Sequence, residues 1–351
     1  MTPDIRSFSP NMGDLAAAKA QWSKRLLLTP ERQSTRGGAA GIAAARALTS
    51  APSSDPNHNV VGVGVGWKIT EGKDTGVMAV KFFVRMKYPE WDISSDHLLP
   101  KSIEGLPVDV EESGIFHRFA AQPKPAPIPN PRSRFRPAQP GCSTGFRDPS
   151  NQFRMAGTFG ALAKDSHGTY VLSNNHVLAD EGQLPPGSPI FQPGLLDGGN
   201  PNTDQIAKLT RFVPLQANAP NTVDCAIVQL TEPGIAEKNI LFIGPPTGTE
   251  PAQIDMNVHK FGRTTSYTTG RITSVDTDVT VQYETGQFTF TGQIIVVGAK
   301  GHSFSAAGDS GSLILQRPSN KAVGLLFAGS SSHTIANHID EVLKELKVTL
   351  A

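Results

Sequence analysis

The chain has 351 residues and a formal net charge of +1, from 32 Lys and Arg against 31 Asp and Glu. That balance gives no reason to expect a nucleic acid or an anionic membrane as partner, and no run approaches the ~18 apolar residues that a membrane-spanning helix needs. The length suits two or three domains, at about 100–200 residues each, and 34 glycines with 28 prolines favour turn-rich β structure over a helix bundle.

Residues 1–55 read as a helical or partly disordered lead. Asp14 is the expected cap of a helix whose Leu15, Ala18, Trp22 and Leu26 share one face. Thr29-Pro30 suits a break, and 39–48 suits a second helix. Such a lead is a packing arm or a contact for a partner or a second copy. Leu26-Leu27-Leu28 is too short for a secretory apolar region and follows Lys24-Arg25. A cytoplasmic site is the expectation.

Residues 56–119 read as a small α/β domain. The runs 59–67 and 77–86 are strand-like around a hairpin-like 70–76, and 106–110 suits a third strand. Gly62-Val63-Gly64-Val65-Gly66 lacks the G-x-G-x-x-G spacing of a dinucleotide loop. Strand glycines of this kind mark close packing. Residues 120–140 form a linker with prolines at 123, 125, 127, 129, 131, 137 and 140 and arginines at 132, 134 and 136. Prolines remove backbone donors and favour an extended path, so a solvated tether is expected, with a processing site as the alternative.

Residues 141–351 carry recurrent short apolar runs at 157–163, 169–173, 206–213, 223–230, 256–261, 270–275, 292–298, 312–316 and 322–327, punctuated by Gly, Pro and Asn. That rhythm predicts an all-β barrel or sandwich. Ile335, Ile339, Val342, Leu343 and Leu346 fall on one face of an expected C-terminal helix. Gly141-Cys142-Ser143-Thr144-Gly145 fits G-x-S-x-G, but a nucleophile elbow joins a strand to a helix. Here a proline-rich linker precedes it and no helical pattern follows, so a turn is expected.

Three polar residues stand at the mouths of these runs. His176 follows Leu172-Ser173-Asn174-Asn175, Asp224 opens the run at 223–230, and Ser310 lies in Gly308-Asp309-Ser310-Gly311-Ser312 before Leu313-Ile314-Leu315. Serine is a weak nucleophile at neutral pH. It needs a base to take its proton and a carboxylate to orient that base. The flanking glycines let the chain turn tightly and aim its amides at a substrate. The order is His, Asp, Ser, spaced 48 and then 86 residues apart.

Asn-Asn-His-Val, Val-Asp-x-Ala-Ile and Gly-Asp-Ser-Gly-Ser, in this order, resemble the trypsin-like (chymotrypsin-fold) serine peptidases over residues 141–351. Phe261-Gly262-Arg263-Thr264 is similar to the segment leading into that family's second barrel. The narrower resemblance is to bacterial intracellular members with an N-terminal domain, with a distant likeness to the plant narrow-leaf type. The resemblance implies a mainly β chymotrypsin-like double barrel with a C-terminal helix, preceded by a small α/β domain. It implies Ser310 as nucleophile, His176 as general base and then acid, Asp224 as orienting carboxylate, and the amides of Gly308 and Ser310 as oxyanion hole. It puts the base of the first substrate pocket at Phe304 and its walls at Phe327, Ala328 and Gly329; without an acid at the base, an uncharged substrate residue is expected.

The expected activity is that of a serine endopeptidase on protein or peptide substrates, regulated by its N-terminal domain. The alternative is a catalytically silent peptide-binding scaffold. In trypsin-like zymogens the acid matching Asp309 pairs with a new amino terminus. This chain has no Ile-Val-Gly-Gly-like start before its barrel, so Asp309 finds an internal partner or the enzyme is switched otherwise. Cys142 and Cys225 are too few for the disulfide set of secreted relatives. No cofactor or metal is expected, because the nine histidines are scattered without H-E-x-x-H or C-x-x-C.

Overall fold

The computed structural model describes residues 10–29, 53–118, 129–148 and 155–351. The helix expected at 39–48 and most of the linker's first half lie outside these. The chain divides into two units. Unit 1 comprises 1–116, 216–220 and 273–293, and unit 2 comprises 117–215, 221–272 and 294–351.

In unit 1, helix α1 (Met12–Leu26) starts one turn earlier than expected. Asn11, not Asp14, is the cap: its side chain accepts from Gly13 N at 2.9 Å. Asp14 lies in the first turn, where its charge complements the helix dipole. The expected face holds: Leu15, Ala18 and Leu26 are buried, and Trp22 meets Phe82 edge-on at 5.4 Å. Strands β1 (Val60–Thr70) and β2 (Lys73–Val84) form an antiparallel hairpin. Its two turn residues, Glu71 and Gly72, both have positive φ, as a tight two-residue hairpin requires. Strands β3 (Ser102–Ile103) and β4 (Leu106–Glu112) follow, with β4 parallel to β2. The free edge of β1 pairs with residues 274–279. A Cβ on Gly64 would lie 2.6 Å from Thr277 Oγ1, so the glycine-rich run serves close strand approach.

Unit 2 opens with β5 (His117–Arg118), then β6 (Ser143–Phe146), β7 (Gly157–Thr158), β8 (Ala161–Asp165), β9 (Gly168–Ser173), one helical turn α2 (Asn175–Leu178), β10 (Pro189–Phe191), β11 (Gln205–Phe212) and β12 (Ala226–Leu230). The strand order is β8-β9-β12-β11-β10-β6-β7. Only Phe159-Gly160 separates β7 from β8, so the sheet returns to its start as a six-stranded antiparallel barrel. A second ring follows: β13 (Asn257–Gly262), β14 (Ser266–Gln282), β15 (Gln287–Gly298), β16 (Leu313–Gln316), β17 (Ala322–Gly329) and β18 (His333–His338). Its order is β13-β16-β17-β18-β15-β14, and β14 pairs back to β13. The far ends of β14 and β15 form the hairpin 273–293 of unit 1.

Two consecutive six-stranded antiparallel barrels with a closing helix, α3 (Ile339–Leu346), make unit 2 a chymotrypsin-like double barrel. Its core contains Phe146, Phe159, Leu172, Val177, Ile227, Leu313 and Leu325, all buried. Burial of each such side chain contributes about 1.5–3 kcal/mol. The helix is shorter than its apolar spacing predicted. Ile335 lies in β18, and α3 begins at Ile339 and buries Ile339, Val342 and Leu346. A last strand, β19 (Thr349–Leu350), pairs with β8.

Two further expectations are corrected. Residues 129–140 are no solvated tether. Ala138 is fully buried and donates to Ile235 O at 2.7 Å, Phe135 N donates to Gln192 Oε1 at 2.8 Å, and Arg134 Nε donates to Asp204 Oδ1 at 2.7 Å. Partners on the first barrel satisfy polar groups that the proline pattern leaves to water. Ser143 lies in strand β6 rather than a turn, and its hydroxyl donates to Asp197 Oδ2 at 2.6 Å.

Candidate active site

His176 sits in α2 directly after β9, and Asp224 stands just before β12. These strands pair through Ser173↔Ala226, which brings both side chains to one end of neighbouring strands. Asp224 Oδ2 is 2.5 Å from His176 Nδ1, while Oδ1 accepts Asn175 N at 2.7 Å and His176 N at 3.3 Å. Asn174 Nδ2 donates to Asp224 O at 2.8 Å, and Asp224 N donates to Asn337 Oδ1 at 2.9 Å. Both His176 and Asp224 are fully buried. An ionised carboxylate only accepts, so the ring nitrogen that faces Asp224, Nδ1, is the one placed to donate to it.

Ser310 is buried at the end of a tight turn before β16. Its hydroxyl donates to Phe327 O at 3.3 Å, and its carbonyl accepts Thr158 N at 2.8 Å. Gly157 links this turn to the histidine. A Cβ there would lie 2.6 Å from Val177 Cγ2 and 3.1 Å from Ser310 O. The residue after His176 and the serine carbonyl thus flank one glycine.

The turn's amides alternate. Asp309 N donates to Ala306 O and Gly311 N to Leu326 O, whereas among the described residues neither Gly308 N nor Ser310 N has a protein acceptor. Gly308 and Gly311 hold φ of +94° and +93°, a region that favours glycine. A Cβ on Gly308 would meet Arg263 Nη1 and Thr264 Oγ1 at 2.6 Å. Arg263 is itself fixed by a bidentate pair to Asp197, at 2.6 Å from Nε and 2.5 Å from Nη2.

Asp309 points away from the serine into a dense set of donors. It accepts from Thr264 N at 2.8 Å, Thr265 N at 3.1 Å, Thr265 Oγ1 at 2.6 Å and Ala306 N at 3.0 Å. Lys260 Nζ lies 3.3 Å from its Oδ2, and both residues are fully buried. Burial holds the Lys260 ammonium below the ordinary lysine pKa, with Asp309 offsetting part of that shift.

The expected pocket residues are all buried. Phe304 packs against Gly270, and its ring centre is 5.9 Å from Lys260 Nζ. Phe327, Ala328 and Gly329 end β17, where Ala328 and Gly329 pair with β18 on one edge and with Arg118 and His117 on the other. Both cysteines are free and buried, and burial pushes the Cys142 thiol up to about 12 and raises that of Cys225 as well. Among the described residues, no group of three or more His, Cys, Asp or Glu could hold a metal ion, and no helix is long and apolar enough to cross a membrane.

Sequence reasoning did not single out Lys260, Asn337 or Asp197. Lys260 directly precedes Phe261-Gly262-Arg263-Thr264, and that adjacency was the available signal. Nothing local to Asn337 or Asp197 marks either residue.

Comparison with known proteins follows the same lines. Residues 202–333 match Peptidase family S64, a span that includes Asp224 and Ser310. Protein NARROW LEAF 1 of Oryza sativa subsp. japonica is 24% identical over 315 residues, covering 78% of this chain and 51% of the rice protein. The chain therefore spans about half the length of that relative. A glutamic acid specific serine protease, described as using a histidine triad in substrate binding, is similar at 18% identity and a TM-score of 0.43, over 61% of this chain and 100% of that one. Thermobifida fusca Protease A is similar at 18% identity and a TM-score of 0.43, over 60% and 97%. Nocardiopsis protease gives 18% and 0.43 over 61% and 99%. The chain resembles the trypsin-like serine peptidases in fold and in family match.

Proposed function

We propose that this protein is a serine endopeptidase acting through His176, Asp224 and Ser310. The observation that carries the reading is the fully buried Asp224 carboxylate 2.5 Å from His176 Nδ1. In the neutral ring, a carboxylate so placed holds the proton on Nδ1 and leaves Nε2 to act as the general base. In this reading Nε2 takes the hydroxyl proton of Ser310 as its oxygen attacks a peptide carbonyl. The amides of Gly308 and Ser310 receive the developing oxyanion. Protonated His176 then gives its proton to the leaving amine, and an acyl-enzyme remains for water to hydrolyse.

The substrate is a protein or peptide, and the region before the barrels governs access to the serine. A cytoplasmic location belongs to the same reading, supported by two free, buried thiols. Fluorophosphonate labelling of the full chain, with mass spectrometry to locate the adduct, tests the assignment. The expected result is one adduct on Ser310, abolished in Ser310→Ala together with peptide cleavage. An adduct elsewhere, or one that survives the substitution, would overturn it.

A further inference from the structure

Strand β17 carries three successive partners along one edge. Ala322, Gly324 and Leu325 pair with β16. Leu326 then exchanges bonds with the serine turn: Gly311 N donates to Leu326 O at 2.8 Å, and Leu326 N donates to Ser312 O at 3.0 Å. Phe327 O takes the Ser310 hydroxyl. Ala328 and Gly329 come next and pair antiparallel with Arg118 and His117 of β5. The opposite edge of Ala328 and Gly329 is held by Ile335 and Thr334 of β18. Strand β5 therefore lies on the edge that also holds Ser310. Its register, His117 opposite Gly329 and Arg118 opposite Ala328, makes its chain run toward the serine.

An extended peptide gains affinity for a sheet edge through main-chain bonds to the unpaired N–H and C=O groups there. Ser310 donates to Phe327 O, one residue inward from Ala328, so a peptide paired antiparallel with Gly329 and Ala328 would carry its next carbonyl toward Ser310, the direction in which β5 runs. We propose that His117 and Arg118 occupy this peptide-binding edge in cis, so that a substrate must displace β5 before it can reach the serine. The proposal rests on the reading of Ser310 as the nucleophile. β5 is short, but it pairs with β14 as well as β17, and a tethered segment competes at an effective concentration of about millimolar. It therefore screens out weak peptides while yielding to longer ones that make more pairs.

The test uses the full chain carrying Ser310→Ala, so that binding is read without turnover. The probe is a fluorescein-labelled synthetic peptide, Ile-Phe-His-Arg-Phe-Ala, the sequence of residues 115–120. Successive strand residues alternate in direction, so one of the two β5 amides faces β17. The double change His117→Pro and Arg118→Pro removes it in either register. Fluorescence polarisation is expected to show about tenfold or greater tightening of peptide binding in the proline variant, given that millimolar competitor. Equal affinity with and without the prolines overturns the proposal. Should the proline variant lose its circular dichroism signature, His117→Gly with Arg118→Gly reads the same way by weakening the strand.

Fluorophosphonate labelling of chains that retain Ser310 is scored separately. Tightened peptide binding without a Ser310 adduct supports the occupied edge and refutes the nucleophile. A Ser310 adduct with unchanged peptide affinity refutes the occupied edge and supports the nucleophile.

Discussion

Lys260 Nζ and Asp309 Oδ2 form an ion pair at 3.3 Å with no exposure on either side. Asp309 is the residue before the candidate nucleophile, and its other acceptor contacts run to Thr264, Thr265 and Ala306. The pair ties the serine turn to the end of β13 and supplies Asp309 with the internal partner that the sequence left open. Removing one member of a buried pair leaves an uncompensated charge and costs about 3–5 kcal/mol. Lys260→Met is expected to lower stability by that order and to slow labelling of Ser310. Adding Asp309→Asn should restore much of the stability, because no lone charge then remains. Urea denaturation of the two single variants and the double variant measures the coupling. Additive effects would show that the pair does not hold the turn.

Asp224→Asn keeps the shape of the side chain and replaces an obligate acceptor with an amide that can donate. The amide's donors can then leave His176 in the tautomer with its proton on Nε2, where it cannot accept from serine. In a Ser-His-Asp site this change costs about 10⁴-fold in turnover. The same order of loss is expected here in peptide hydrolysis, with an unchanged circular dichroism spectrum. Full activity in the folded variant would remove Asp224 from the mechanism.

Much of unit 2 was legible because barrel strands are short apolar runs between turn residues. The run read at 169–173 is β9, and the run read at 206–213 overlaps β11. His176, Asp224 and Ser310 were legible as motifs, since each sits at a strand mouth with its own local signature. Lys260 was not, because a lone lysine with no charged neighbour in its own strand carries no local sign of burial. Its burial becomes apparent only once Asp309 is opposite. The division of β14 and β15 between units was hidden because the runs read at 270–275 and 292–298 leave out most of the hairpin 273–293, whose strands are rich in Thr, Asp and Gln and poor in long apolar runs. Ile335 misled the helix reading because its spacing to Ile339 fits one helix face as well as a strand that runs directly into a helix. Strand β5 has two residues, too few for any period to show.

Gly308 tests the turn from its other side. Its φ of +94° and the 2.6 Å approach of a Cβ to Arg263 Nη1 and Thr264 Oγ1 leave no room for a side chain. Neither neighbour yields readily, since Arg263 is clamped by Asp197 and Thr264 Oγ1 donates to Ala307 O at 2.6 Å. Gly308→Ala is expected to cost about 1–3 kcal/mol in backbone strain. In the proposed mechanism, displacing the Gly308 amide should also slow peptide hydrolysis by about 10²–10³-fold. Steady-state kinetics on the folded variant checks this. A rate within error of the parent would mean that the Gly308 amide does not face the reacting carbonyl.

Asp165, at the tip of the β8–β9 hairpin, makes a pH prediction away from the site. Its carboxylate accepts from Arg211 Nη2 at 2.7 Å, His167 N at 2.7 Å and Tyr170 Oη at 3.0 Å. The hydrogen bond from Arg211 is the largest cause holding its pKa well below the ordinary 3.8, and His167 N and Tyr170 act in the same direction. A carboxylate whose folded pKa is depressed contributes stability above its unfolded value, and that contribution fades as pH falls through 3.8 toward the folded pKa. In Arg211→Leu the depression is reduced. The stability gap between parent and variant should therefore be largest near neutral pH and shrink as the medium is acidified below 3.8. Urea midpoints on both sides of that value measure the gap. A gap that holds constant or widens on acidification would mean that Arg211 stabilises the hairpin by packing over Tyr170, whose ring centre lies 5.4 Å from its guanidinium, and not through the Asp165 charge.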